Sequence, residues 1–76
     1  MLVAHEFDEI SGEWARSELD LPDDCDSGGI IDAVIEPGWE LEDSASCGSV
    51  LLITLRSDRG HLGIIVVERR TSHAKV

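Results

Sequence analysis

The chain has 76 residues, 42% of them hydrophobic, and a formal net charge of -10 at pH 7. This length predicts one domain over residues 1–76, near the size at which a single hydrophobic core is marginally stable, and the composition excludes an intrinsically disordered chain. The sequence begins with no secretion leader and has no apolar run that could span a membrane, which predicts a soluble, cytoplasmic protein.

The acidic residues are concentrated in the first two thirds of the chain. Residues 1–48 contain 14 of the 16 acidic residues and one basic residue, Arg16, whereas residues 49–76 contain the other five Arg and Lys residues. A chain this negative repels nucleic acid and anionic membranes and is attracted to positively charged protein surfaces. Direct binding to nucleic acid is therefore not expected, because the basic C-terminal stretch "ERRTSHAK" is short and lacks aromatic residues.

The first segment, "VAHEFDEISGEWARSELDL", predicts an amphipathic N-terminal helix. Its apolar residues recur at helical spacing, at Val3, Phe7, Ile10, Trp14 and Leu21. An adjoining arc of the same helix carries a row of carboxylates, from Glu6, Glu9, Glu13 and Asp20. Gly12 weakens this helix, and Pro22 ends it.

The next stretch, "PDDCDSGGIIDAVIE", partly matches a calcium-binding EF-hand loop. With Asp24 in the first position, Asp26 is third and Gly29 is sixth, as that pattern requires. The fifth position is Gly28 and the twelfth is Ile35, so two of the oxygen ligands are missing. The stretch therefore predicts a solvated acidic turn, with a calcium-responsive module as an alternative.

The middle and last thirds predict a sheet. Residues 30–36 fit either a helical face or a strand, and their β-branched content favours a strand. The following "WELEDSASCG" predicts a short extended piece around Trp39 and Leu41, then a loop. The runs "SVLLITLR" and "LGIIVVERR" predict a β-hairpin around "SDRGH", with Gly60 available for a left-handed turn position.

These elements predict an α+β fold, with the N-terminal helix packed on a small, mainly antiparallel sheet that ends in a C-terminal β-hairpin. Both hairpin strands are apolar on both faces, and one helix can cover only one side of a sheet. The second side is therefore expected to meet another segment of the chain or a second copy, which makes a homodimer possible.

The sequence contains no recognisable catalytic signature. His5, His61 and His73 do not lie in a nucleophile context. Cys25 and Cys47 lack the closely spaced Cys or His companions of a zinc site, and free thiols are favoured over a bridge between them. The protein is therefore predicted to be non-enzymatic, with no metal site and no cofactor.

A binding module for a basic protein surface is the remaining expectation. An acidic face that occupies a groove lined with Lys and Arg competes with nucleic acid by charge. The predicted partner-binding residues are Glu6, Glu9, Glu13, Asp20, Asp23, Asp24, Asp26, Glu40, Glu42 and Asp43.

In its length and its excess of acidic residues, the chain resembles the small acidic inhibitors that phages encode, such as anti-CRISPR proteins and other DNA mimics. The resemblance is found in the stretches "HEFDEISGE" and "DLPDDCD". The resemblance implies an inhibitor that binds a Cas complex and blocks target DNA. Two alternatives remain open besides calcium binding. One is an immunity protein or antitoxin that neutralises a basic toxin, and the other is a homodimeric accessory subunit.

Overall fold

The computed structural model describes residues 1–9 and 11–70, and within them the chain forms five strands and one helix. The strands are β1 (Leu2–Asp8), β2 (Glu13–Leu19), β3 (Trp39–Cys47), β4 (Val50–Ser57) and β5 (Leu62–Arg69), and the helix is α1 (Ser27–Val34). The predictions made for Ile10 and for residues 71–76, which include His73 and most of the basic end, lie outside the described residues.

The strands form one antiparallel sheet in the order β2-β1-β5-β4-β3. The chain makes a β1–β2 hairpin, passes through α1 to the opposite edge of the sheet, and returns as the β3–β4–β5 meander. In the described residues α1 covers one side of the sheet, here called the helix side. The other side is called the open side.

The predicted N-terminal helix is wrong, because residues 2–8 and 13–19 form paired strands. The spacing of Val3 and Phe7 fits a helical face, but it also fits the alternation of a strand. In the structure both point to the open side, while Leu2 and Ala4 are buried on the helix side. Gly12 belongs to the turn between the strands, where its φ is +72° and its N–H donates to the Asp8 carbonyl at 2.8 Å.

The strand favoured for residues 30–36 is also wrong, because residues 27–34 form α1. The Asp26 carboxylate caps this helix by accepting a hydrogen bond from the Gly29 N–H at 2.8 Å. Ile30 and Val34, one helical turn apart, are the residues of α1 that become buried against the sheet. The cap and this burial outweigh the preference of β-branched residues for strands.

The C-terminal third contains the predicted antiparallel pair, as β4 and β5, and Gly60 in their connection has a φ of +84°. Strand β3 extends to Cys47, well beyond the short piece expected around Trp39 and Leu41, because it pairs with β4 along its length. A bulge between Leu41 and Asp43 interrupts that pairing.

The hydrophobic core lies between α1 and the helix side of the sheet. The sheet contributes Leu2, Ala4, Leu51, Ile53, Leu55, Ile65 and Val67, and the helix contributes Ile30 and Val34. At eight residues, or about 12 Å, α1 is too short to cover the whole sheet. The helix side of β2 and the end of the sheet beyond Val34 are therefore left exposed.

Candidate protein-binding surfaces

An acidic cleft opens on the helix side, where α1 ends. It has a volume of about 220 Å³ and lies beside the ends of β1, β4 and β5. Its floor and walls include the apolar residues Val34, Trp39, Leu55 and Ile65. The acidic residues that line the cleft are Glu6, Asp8, Glu9 and Glu36.

The Trp39 indole forms part of the cleft because Gly63 leaves room for it. A Cβ atom at Gly63 would lie 3.1 Å from Cζ3 of the Trp39 ring, closer than a normal contact. The indole therefore packs against the bare backbone of β5, and it is half-buried. An isolated glycine within a strand often marks such a close approach.

The carboxylates of the cleft have few positive neighbours. Glu9 Oε1 lies 3.6 Å from His61 Nδ1, in an exposed pair. The carboxylates of Glu6 and Glu36 make no ion pair or hydrogen bond with the described residues. The cleft therefore combines an apolar floor with two carboxylates, Glu6 and Glu36, that have no cationic partner among the described residues.

The other predicted partner-binding residues do not form one row with Glu6 and Glu9. The row depended on an N-terminal helix, and the strands distribute these carboxylates differently. Glu13 lies opposite Asp8 on the exposed helix side of β2, beside the cleft. Glu40, Glu42 and Asp43 lie on β3, at the far edge of the sheet, and the Arg56 guanidinium pairs with Glu42.

The acidic loop before α1 lies at the end of the helix opposite the cleft. Two of its carboxylates have partners within the chain, since Asp23 forms an exposed ion pair with the amine of Met1 and Asp26 caps α1. Asp20 and Asp24 are exposed, and their side chains make no ion pair or hydrogen bond with the described residues. The structure therefore brings Glu6, Glu9 and Glu13 together and separates them from the other predicted residues.

Sequence reasoning missed three members of the cleft, Asp8, Glu36 and Trp39. Asp8 and Glu36 are far apart in sequence and meet only because α1 runs back across the sheet to the end of β1. The available signal was Gly63, an isolated glycine in an apolar strand, which indicates that another group packs closely there.

The open side of the sheet is apolar at its centre. Large hydrophobic side chains that the described residues leave exposed on this side come from β2, β4 and β5, and they are Trp14, Val50, Leu52, Leu62 and Ile64. Phe7 pairs with Trp14 in register, with ring centroids 5.2 Å apart. No described helix or strand packs on this side, although Val3 of β1 is fully buried there.

The charged residues of the open side are largely paired. Glu68 Oε1 lies 3.3 Å from His5 Nε2, accepts a hydrogen bond from Arg70 Nε at 3.1 Å and forms an ion pair with Arg70 Nη2 at 3.0 Å. The hydrogen bond with His5, and then that with Arg70, lowers the pKa of Glu68 below its ordinary value. The open side therefore differs from the cleft, where Glu6 and Glu36 have no such partner among the described residues.

The described residues contain no group of three or more His, Cys, Asp or Glu side chains that could hold a metal ion. The loop that resembles an EF-hand thus gathers no ligand set, and its Asp26 is used as the helix cap. Cys25 and Cys47 are not joined by a disulfide. Helix α1 is too short to cross a membrane, and the described residues contain no other helix that could do so.

Comparisons with known proteins identify no relative. No family model matches the chain, and no curated protein or solved structure is significantly similar to it. The function must therefore be argued from the geometry of the chain itself.

Proposed function

We propose that the protein is a non-enzymatic inhibitor that binds a basic nucleic-acid-binding protein through its acidic cleft. The observation that carries this proposal is the cleft itself, in which Glu6, Asp8, Glu9 and Glu36 surround an apolar floor. Binding there blocks nucleic acid by occupying the positive surface that nucleic acid needs. DNA mimics of the anti-CRISPR class act on Cas complexes in this way, and a Cas complex is the first partner to test.

The cleft suits a lysine or arginine side chain of the partner. Such a side chain has an aliphatic stem and a charged end, and it buries the stem on apolar surface while the charge meets carboxylates. Trp39 and Leu55 offer the apolar surface, and an indole face also attracts a cation. The net charge of -10 speeds the approach of any basic partner but does not select the cleft, so the two effects must be separated experimentally.

The first experiment captures nucleic-acid-binding complexes, including CRISPR effectors, on the immobilised protein at low and moderate salt, and then adds DNA as a competitor. We expect a partner that DNA displaces. A partner whose binding is indifferent to DNA would contradict nucleic-acid mimicry and would indicate a toxin-neutralising role. The absence of any partner among these complexes would also contradict the proposal.

Charge reversal then locates the binding surface. Glu6→Lys and Glu36→Lys should each weaken binding to the captured partner about 10-fold or more, because each places a cation where a cation is bound. Glu18→Lys is the matched control, since it changes the net charge equally on the open side of β2. Equal losses from all three variants would show that net charge, rather than the cleft, determines binding.

A further inference from the structure

We propose that the open side of the sheet is the interface of a homodimer, in which two copies pack face to face. The centre of this side is formed by Phe7, Trp14, Leu52, Ile64 and Val66. Contiguous exposed apolar surface of this kind marks an interaction site in soluble proteins. The proposed function depends on the cleft carboxylates and not on this face, although Phe7 and Ile64 also border the cleft.

The size of the face fits a second copy. Five strands about 4.8 Å apart and about seven residues long give a face of roughly 550 Å², so that two copies would bury roughly 1,100 Å². Specific interfaces begin at about 1,000 Å². The packing of one sheet on another also provides the second layer that a small domain needs around its apolar strands. We therefore expect a dimer whose population depends on protein concentration.

The charges of the open side favour another copy over a basic partner. Its central carboxylate, Glu68, already has His5 and Arg70 as partners, and Glu42 has Arg56. The carboxylates of the cleft lie on the other side of the sheet. Two copies can therefore join their open sides while the two clefts face outward, away from each other.

One cation of this side, Arg16, has no ion pair with the described residues and is placed to meet a carboxylate across a two-fold axis, whereas Glu18 on the same face of β2 carries the opposite charge. Arg16 lies on edge strand β2 and Glu40 on edge strand β3, and neither makes an ion pair with the described residues. An axis that runs along the central strand, β5, places β2 of one copy over β3 of the other. By register Arg16 then lies level with Ala45 of the second copy, one row of side chains from Asp43 and two from Glu40, so Asp43 is the nearer partner and the arrangement occurs twice.

Sedimentation velocity tests the dimer, with Leu52 and Leu41 as a matched pair. Both leucines are in strands and are similarly exposed, at 42% and 44%, but Leu52 is on the open side and Leu41 is on the helix side. We expect the unmodified protein to dimerise, Leu52→Lys to be monomeric and Leu41→Lys to dimerise normally. Circular dichroism confirms that each variant is folded.

Salt provides a second measurement. High salt should strengthen the dimer, because it screens the repulsion between two chains of charge -10, whereas it should weaken cleft binding to a basic partner. A protein that stays monomeric at high salt and high concentration would overturn the proposal, as would equal effects of Leu52→Lys and Leu41→Lys.

Charge exchange tests the assigned axis. Arg16→Glu should weaken the dimer about 3-fold to 10-fold, and adding Asp43→Arg to the same chain should restore it. A double variant no better than the single one would overturn the assigned axis.

Discussion

The helix side and the open side of the sheet carry similar aliphatic residues, yet these residues have different environments. On the helix side, Ile53 and Val67 are fully buried beneath α1, and acidic side chains gather where the helix stops. On the open side, the neighbouring residues Leu52 and Val66 lie on a face that no described element covers, and the main carboxylate is hydrogen-bonded. The helix side therefore stabilises the domain through its buried core, and the open side is available for association.

The largest predicted effect is on the free energy of unfolding of the protein. Substitutions at two adjacent positions, Ile53 in the core and Leu52 on the open side, should lower it by different amounts. Ile53→Ala should lower it by about 2–5 kcal/mol, because a fully buried side chain leaves a cavity. Leu52→Ala should lower it by less than about 1 kcal/mol when measured in dilute, monomeric protein. Urea denaturation of both variants checks this, and similar losses at the two positions would contradict the assignment of the sides.

A smaller effect is expected at the cap of α1. Asp26→Ala should lower the free energy of unfolding by about 1 kcal/mol, because the Gly29 N–H loses its acceptor at the helix end. Asp24→Ala is the matched control, since it removes the same charge from the same loop without removing a cap. If thermal denaturation shows equal losses for the two variants, the loop acts through its charge and not through the cap.

The smallest effect concerns Glu68 on the open side. Its lowered pKa means that the folded protein holds the ionised form more strongly than the unfolded chain does. The resulting stabilisation is present above the pKa of the unfolded chain and is lost as the pH falls through the pKa of the folded protein. We expect carboxyl NMR titration to show this low pKa and to show that it rises in His5→Ala. An unchanged pKa in that variant would mean that His5 is not the main cause.

The strands of the last third could be predicted from sequence because their apolar runs and the turn glycine indicate the same structure. Residues 1–19 could not, since Val3 and Phe7 satisfy both a helical and an alternating pattern, and Trp14 continues the helical one. Pairing decides between the two patterns, because β1 joins β5, which lies more than fifty residues later in the chain. The spacing of apolar residues within one segment contains no information about a partner strand so far away in the sequence.

The acidic character of the surface could be predicted from composition, but the cleft could not. Its carboxylates come from β1, from the turn after it and from the segment after α1, so their meeting depends on the path of the chain. The assumed helix placed Glu6 and Glu9 correctly near each other but for the wrong reason. Asp8 was left out because, on that helix, it lay off the row of carboxylates.

The acidic residues on the outer strands have a consequence for handling the protein. Among the described strands, β2 and β3 each leave one backbone edge unpaired, and such edges are templates on which further strands can grow. Near neutral pH the carboxylates of Glu13, Glu18, Glu40 and Glu42 keep other chains away from these edges. High salt screens this repulsion, so storage in concentrated salt would favour fibrils that grow strand upon strand.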